Sequence, residues 1–292
     1  MAEEVVDFEV ARRKMKKWRD EGYRNSDEIV DLGECLIYEY ANKLGDELWV
    51  LYEQVCIAAY DCSRIDLAVN CLRALDKQFP SGNRVLRLRA MRKEALKQFA
   101  DAEKIYKIML EDDPANLHVR KRLITIQKSQ NRIEAAIQSL NEYLKEFMGD
   151  QEAWMELCEL YIHQQEYAKA AFCMEELILS HPHNHLYHQR YAEIHYTMGM
   201  PDSLEKAKKY FAQALKLDPN NVRALYGLYL AATNSVTSKT ASSMKKKNIN
   251  MSQWTVQQVM DLFDMNVSEN QKQTLTDMFD NMQLSLPSTV PE

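Results

Sequence analysis

The sequence predicts an all-α chain of repeated helix-turn-helix units, and three observations carry that expectation. Alanines recur at a fixed interval, with Ala68, Ala102, Ala136 and Ala170 each 34 residues apart. Prolines fall on the same lattice at Pro80, Pro114 and Pro182, with Met148 in the remaining place, and a step of 37 residues then reaches Ala207 and Pro219. Glycine and proline are scarce, 7 of each in 292 residues, which argues against a turn-rich β fold and for long helices with few breaks.

Each marker has a physical reason. The alanine sits where the two helices of a unit approach most closely, so a larger side chain would push them apart. The proline cannot continue a helix and marks the end of each unit. In the fourth unit Trp154, Leu157, Cys158 and Tyr161 share one face of the first helix, and Ala170, Met174 and Leu177 one face of the second. Period and pattern resemble the tetratricopeptide class, which implies a right-handed superhelix of such repeats.

The order along the chain follows. Residues 1–48 form N-terminal helices, a degenerate first pair. Phe8, Ala11, Met15 and Trp18 make one helical stripe, and Ser26 is the expected N-cap of a helix to about Lys43 that carries Ile29, Val30, Leu36, Ile37 and Tyr40. Five repeats follow at about 49–82, 83–116, 117–150, 151–184 and 185–221, with a capping helix from Val222 to about Thr233. The three extra residues of the fifth repeat are placed in its internal turn, around Gly199-Met200-Pro201. The Ser/Thr/Lys-rich segment 234–250 is expected as a polar linker, residues 251–286 as C-terminal helices and 287–292 as a frayed tail.

Composition bounds the function. A net charge of -6 disfavours nucleic acid as a main ligand. No run approaches the roughly 18 apolar residues of a membrane span, and the acidic start from Glu3 does not read as a signal peptide. The cysteines, Cys35, Cys56, Cys62, Cys71, Cys158 and Cys173, lack metal-type spacing and fit apolar helix positions, which implies a reducing compartment. His181, His183, His185 and His188 carry two readings, a zinc or nickel site or a polar turn between repeats. No cysteine or acidic ligand of matching spacing accompanies them, which favours the turn and no metal. Phosphate-loop, nucleophile-elbow and zincin motifs are missing from the sequence, so no catalytic residue, cofactor or enzyme activity is expected.

Binding is therefore the expected work. The groove of such a repeat array is lined by the first helix of each unit. There the sequence places Arg84, Arg87, His118, Lys121 and Lys128, beside Glu53, Ile57 and Tyr60 in the first repeat and Met155, Glu159 and Ile162 in the fourth. A basic middle beside apolar and acidic stretches suits an extended peptide with an acidic portion. At the N-terminus Arg12, Arg13, Lys14, Lys16, Lys17 and Arg19 put six cations within eight residues. They surround the Phe8/Met15/Trp18 stripe and fit either a solvated outer face or contact with acidic lipid headgroups.

Several stretches exceed what the repeat pattern demands: RNSDEIVDLGE, YEYANKLGDELW, NEYLKEFMGDQEAW, EYAKAAFCMEEL, PHNHLY and YFAQALKLDPNN. Over roughly residues 20–230 they make the chain resemble the subunit-2 family of the endoplasmic reticulum membrane protein complex, with a weaker likeness in the last forty residues. The resemblance implies a scaffold on the cytoplasmic face of the endoplasmic reticulum membrane, peripheral and held there by partners. The complex so implied inserts tail-anchored and multipass proteins. The implied partners are its soluble eighth or ninth subunit and the cytosolic parts of its third and fifth subunits. The competing reading is a co-chaperone adaptor that grips acidic C-terminal peptides. Such clamps resemble one another in lysine and asparagine positions on their first helices. Here Arg87 and Met91, or Lys121 and Thr125, stand in those places and the asparagines are missing.

Overall fold

In the computed structural model the described residues are 7–237, 242–264, 271, 273, 274 and 277–279, and the regular structure among them is helical. The chain divides into two compact units, Met1–Arg132 and Ile133–Glu292, a boundary that falls between the two helices of the third repeat.

The first unit holds α1 (Phe8–Asp20), α2 (Ser26–Glu39), α3 (Ala41–Leu44), α4 (Glu47–Asp61), α5 (Ile65–Gln78), α6 (Asn83–Ala95), α7 (Phe99–Asp112) and α8 (Leu117–Ser129). The second holds α9 (Ile133–Glu146), α10 (Gln151–His163), α11 (Tyr167–Ser180), α12 (His185–Met198), α13 (Pro201–Leu217), α14 (Val222–Thr237) and α15 (Ser242–Asp264).

The lattice residues do structural work. Ala68, Ala102, Ala136, Ala170 and Ala207 are all completely buried. Pro80, Pro114, Pro182 and Pro219 each stand two residues beyond the end of α5, α7, α11 and α13. Two residues beyond Pro114, Met148, Pro182 and Pro219 a polar side chain caps the next helix, whereas Gly82 holds that place after Pro80 and caps with no side chain. Asn116 accepts from the Val119 amide, Asp150 from Ala153, Asn184 from Leu186 and Asn221 from Ala224.

A second lattice lies in the turns inside the repeats. Ser63, Lys97, Asn131 and Gln165 have φ of 58, 57, 57 and 62°, and Gly199 has 69°. These positions are again 34 residues apart. At the four non-glycine sites the turn is a Schellman motif. In the first of them the Ser63 amide donates to the Tyr60 carbonyl and the Arg64 amide to that of Ala59.

Four expectations are corrected. Ser26 is the first residue of α2 and not its cap: Asn25 holds the cap position, and the Ser26 hydroxyl donates to Asp61 instead. That helix stops at Glu39, and α3 is separate. The three extra residues of the fifth repeat do not lengthen its turn. Gly199 and Met200 bridge the helices with two residues where the other repeats use three, and Pro201 opens an α13 of 17 residues where α5, α7, α9 and α11 have 14. Last, the segment 234–250 is helical wherever it is described, in the end of α14 and the start of α15. One of its polar residues packs while Lys246, Lys247 and Asn250 stay exposed: Asn248 of α15 is buried and accepts from the buried Lys208 ammonium of α13. Farther on, Phe279 is buried against Tyr226 and Tyr229 of α14, ring centroids 5.7 and 5.3 Å away. The tail 287–292 lies outside the described residues.

Candidate functional site

Within the first unit, α4, α6 and α8 run in the same repeat register, so residues 34 apart occupy equivalent places. Ile57 and Met91 form one such pair, and Arg87 and Lys121 another. Together with the end of α1 and the turn into α2, these helices enclose a cleft of about 620 Å³. Its floor is apolar, from Trp18, Ile29, Ile57 and Met91, and its walls carry Arg19, Arg24, Arg87, Lys121 and Arg122, with His118 at the edge. Asp61 is the one carboxylate in the lining among the described residues.

Several of the cations are held in place by carboxylates. Arg24 forks onto Asp61 with bonds of 2.7 and 2.5 Å. Burial acts to raise the Asp61 carboxyl, but the hydrogen bonds from Arg24 and Ser26 outweigh it and the group sits below the ordinary range. The buried Glu53 of α4 takes Arg87 at 2.9 Å and also pairs with Arg84. Arg122 approaches Glu94 of α6 at 3.3 Å, and Tyr106 donates its hydroxyl to the same carboxyl. Burial raises Glu94 above its usual value, the Tyr106 and Arg122 interactions opposing it. The guanidinium groups are thus oriented before any ligand arrives, and an acidic segment that enters meets ready donors.

A second concavity of about 600 Å³ lies between α4, α5 and α6, lined by Trp49, Val50, Leu75, Phe79, Val85 and Leu88 with Asp46, Glu53 and Arg84 among its polar residues. Trp49 meets Phe79 edge to face at 5.8 Å.

Of the residues expected from sequence, Arg87, His118 and Lys121 meet in the cleft. Arg84 is exposed and belongs to the apolar pocket. Lys128, in the last turn of α8, is half-buried and does not line the cleft. Met155 and Glu159 lie on α10 in the second unit, half-buried and exposed respectively. There Glu159 joins a chain of ion pairs across first helices. Arg190 Nη2 of α12 donates to both its oxygens at 2.7 and 2.9 Å, Arg190 Nη1 reaches Glu193 at 3.0 Å, and Arg223 of α14 grips Glu193 at 2.5 and 3.1 Å.

Sequence reasoning did not assign Trp18, Arg24, Met91 or Arg122 to the cleft. Met91 was within reach as the residue 34 beyond Ile57, whereas Arg24 lies in a turn that no periodicity marks. Three of the four clustered histidines go to separate partners. His181 contacts Gln151 and His188 the Pro182 carbonyl, while the Asn221 amide donates to His185. Among the described residues no group of three His, Cys, Asp or Glu could hold a metal ion. Burial raises the thiols of Cys56, Cys71, Cys158 and Cys173, the first to about 11 and the others to about 12, so they stay protonated and unreactive. No helix among the described residues is long and apolar enough to cross a membrane.

Known proteins place this geometry in context. Residues 67–216 match the family described as the EMC2 TPR-like repeat domain. The chain is 48% identical over 286 residues to ER membrane protein complex subunit 2-A of Xenopus laevis, covering 96% of both chains. It is 29% identical to ER membrane protein complex subunit 2 of Dictyostelium discoideum over 76% of this chain and 73% of that one. Among solved structures, the C-terminal part of a TPR repeat-containing protein of Cytophaga hutchinsonii superposes with a TM-score of 0.58 at 14% identity, covering 89% of this chain and 96% of that one, a likeness of fold alone. With a family match over more than half its length and a near-full-length relative at 48% identity, the chain belongs to the EMC2 family of tetratricopeptide-like repeat proteins.

Proposed function

We propose that the chain is a non-catalytic scaffold subunit of the ER membrane protein complex, peripheral on the cytoplasmic face of the endoplasmic reticulum. In this reading it serves membrane-protein insertion by holding soluble and membrane-embedded subunits together. The relatives' names supply the complex, and the cleft in the first unit supplies a means of gripping a partner. The observation that carries the reading is the cleft's composition: an apolar floor under five cations, with one carboxylate in the lining. It suits an extended acidic segment that places an apolar side chain near Trp18 and Met91. The soluble eighth or ninth subunit and the cytosolic parts of the third and fifth are the partners we assign.

Mild-detergent affinity purification with mass spectrometry, together with a carbonate wash of a separate membrane sample, tests this. The expected result is a fixed set of membrane subunits, with the chain stripped from the membrane by carbonate. Arg87→Glu with Lys121→Glu should lower partner recovery at unchanged helicity. Recovery in the soluble fraction with heat-shock chaperones would replace the scaffold reading with the co-chaperone one.

A further inference from the structure

The structure sorts the six cations of α1 into two groups. Arg12 is turned inward onto Glu47 with bonds of 2.8 and 2.9 Å, and Arg19 reaches Gln54 at 3.3 Å, so both arginines fasten α1 to α4. Arg13, Lys14, Lys16 and Lys17 are exposed. Among the described residues no ion pair holds Arg13 or Lys16, and Lys17 lies 3.9 Å from Glu21. Lys14 stands 4.8 Å over the Trp18 ring and pairs with Glu28 of α2. The acids of the same helix are Glu9 and Asp20.

The apolar stripe of α1 is already used. Ala11, Met15 and Trp18 are buried in the core of the first unit, so they cannot also enter a bilayer. What remains outside is four cations on long stems, with the exposed acids Glu9 and Asp20 and one exposed apolar residue, Val10, which leaves a local excess of positive charge. A protein interface of ordinary kind has a charge-depleted, aromatic centre, and this face has none. The bidentate arginine geometry that reads a shaped carboxylate site is turned inward. Three lysines and one arginine acting as point charges suit a diffuse plane of negative charge. The formal net charge of -6 sets the rest of the chain against polyanions at large, so attraction must be local to this face.

We propose that the outer face of α1 rests on the anionic headgroups of a lipid bilayer, by charge alone and with no side chain inserted. Each cation close to such a surface strengthens binding by about fivefold, so removal of three weakens it on the order of a hundredfold. The contact needs no other subunit.

Flotation of the full chain with vesicles of phosphatidylcholine, with and without phosphatidylserine, tests this. The chain should float with the phosphatidylserine vesicles alone and be released by added salt. Arg13→Glu with Lys16→Glu and Lys17→Glu should abolish flotation at unchanged helicity. If that triple variant does not fold, the milder Lys16→Gln, Lys17→Gln pair should still weaken flotation. Equal binding to both vesicles, no binding by the unaltered chain, or full binding by the folded variants would overturn the proposal. Binding to poly-L-glutamate or an RNA oligomer without binding to vesicles would overturn it too. The assay contains no other protein, so its failure is distinguishable from failure of the co-purification.

Discussion

Gly227 of α14 lies directly against the ring of Phe211 of α13: a Cβ at residue 227 would stand 2.4 Å from two of its ring carbons. Phe211 is fully buried and cannot swing clear without disturbing Ala207 and Ala224, which share its core. Gly227→Ala should therefore destabilise the chain by about 1–3 kcal/mol. Urea titration followed by circular dichroism reads the effect, and an unchanged midpoint would mean that the helices part at no cost. Gly33 stands in the same relation to Val55 in the first unit.

The lattice alanines allow a harsher version of that experiment. Ala136→Trp or Ala170→Trp forces a large ring into a site with no exposure and should cost about 1–3 kcal/mol or more. Since repeats are stabilised mainly by their neighbours, hydrogen exchange should accelerate in the adjoining helices as well. Retention of the wild-type melting midpoint by both variants would show that the site yields.

The left-handed turns predict changes of opposite sign. Lys97 holds φ of 57° with a side chain that disfavours it, so Lys97→Gly should stabilise by about 0.5–1 kcal/mol. Gly199→Ala puts a Cβ where φ is 69° and should destabilise by about 1 kcal/mol. Thermal melts of the two variants should move in opposite directions.

Glu193 makes the second unit sensitive to acid. Burial acts to raise its carboxyl, and the hydrogen bonds from Arg223, Gln189 and Arg190 outweigh that effect, leaving the folded-state pKa below the ordinary value of 4.5. Its stabilisation is therefore complete above that ordinary value and is lost as pH falls through the lower folded one. Glu193→Gln should melt below the wild type at neutral pH, and the gap should close in acid. A gap that stays constant with pH would remove the ion-pair account.

What the sequence disclosed follows the kind of information each feature carries. Alanine and proline are visible because the helix crossing and the helix end each demand a residue type. The turn lattice at 63, 97, 131, 165 and 199 is equally regular in the backbone but is occupied by Ser, Lys, Asn, Gln and Gly. A Schellman turn is made by main-chain hydrogen bonds, so composition conceals it. The cleft was half visible for the same reason: Arg87, His118 and Lys121 sit on helices whose register the lattice reveals, while Arg24 enters from a turn. The segment 234–250 misled because Ser, Thr, Lys and Asn look solvated in sequence, whereas the Asn248 contact with Lys208 shows a polar helix docked through a buried hydrogen bond.

That docking of α15 decides how long the array can be. Like units stacked face to face have no intrinsic stopping point, because each new pair leaves an apolar face ready for another copy. Here the sequence following the last repeat turns a 23-residue helix back, with Val259 buried in the core that α14 shares. The growing end is thereby closed from within the same chain. A further repeat would find the apolar face of α14 already occupied by α15.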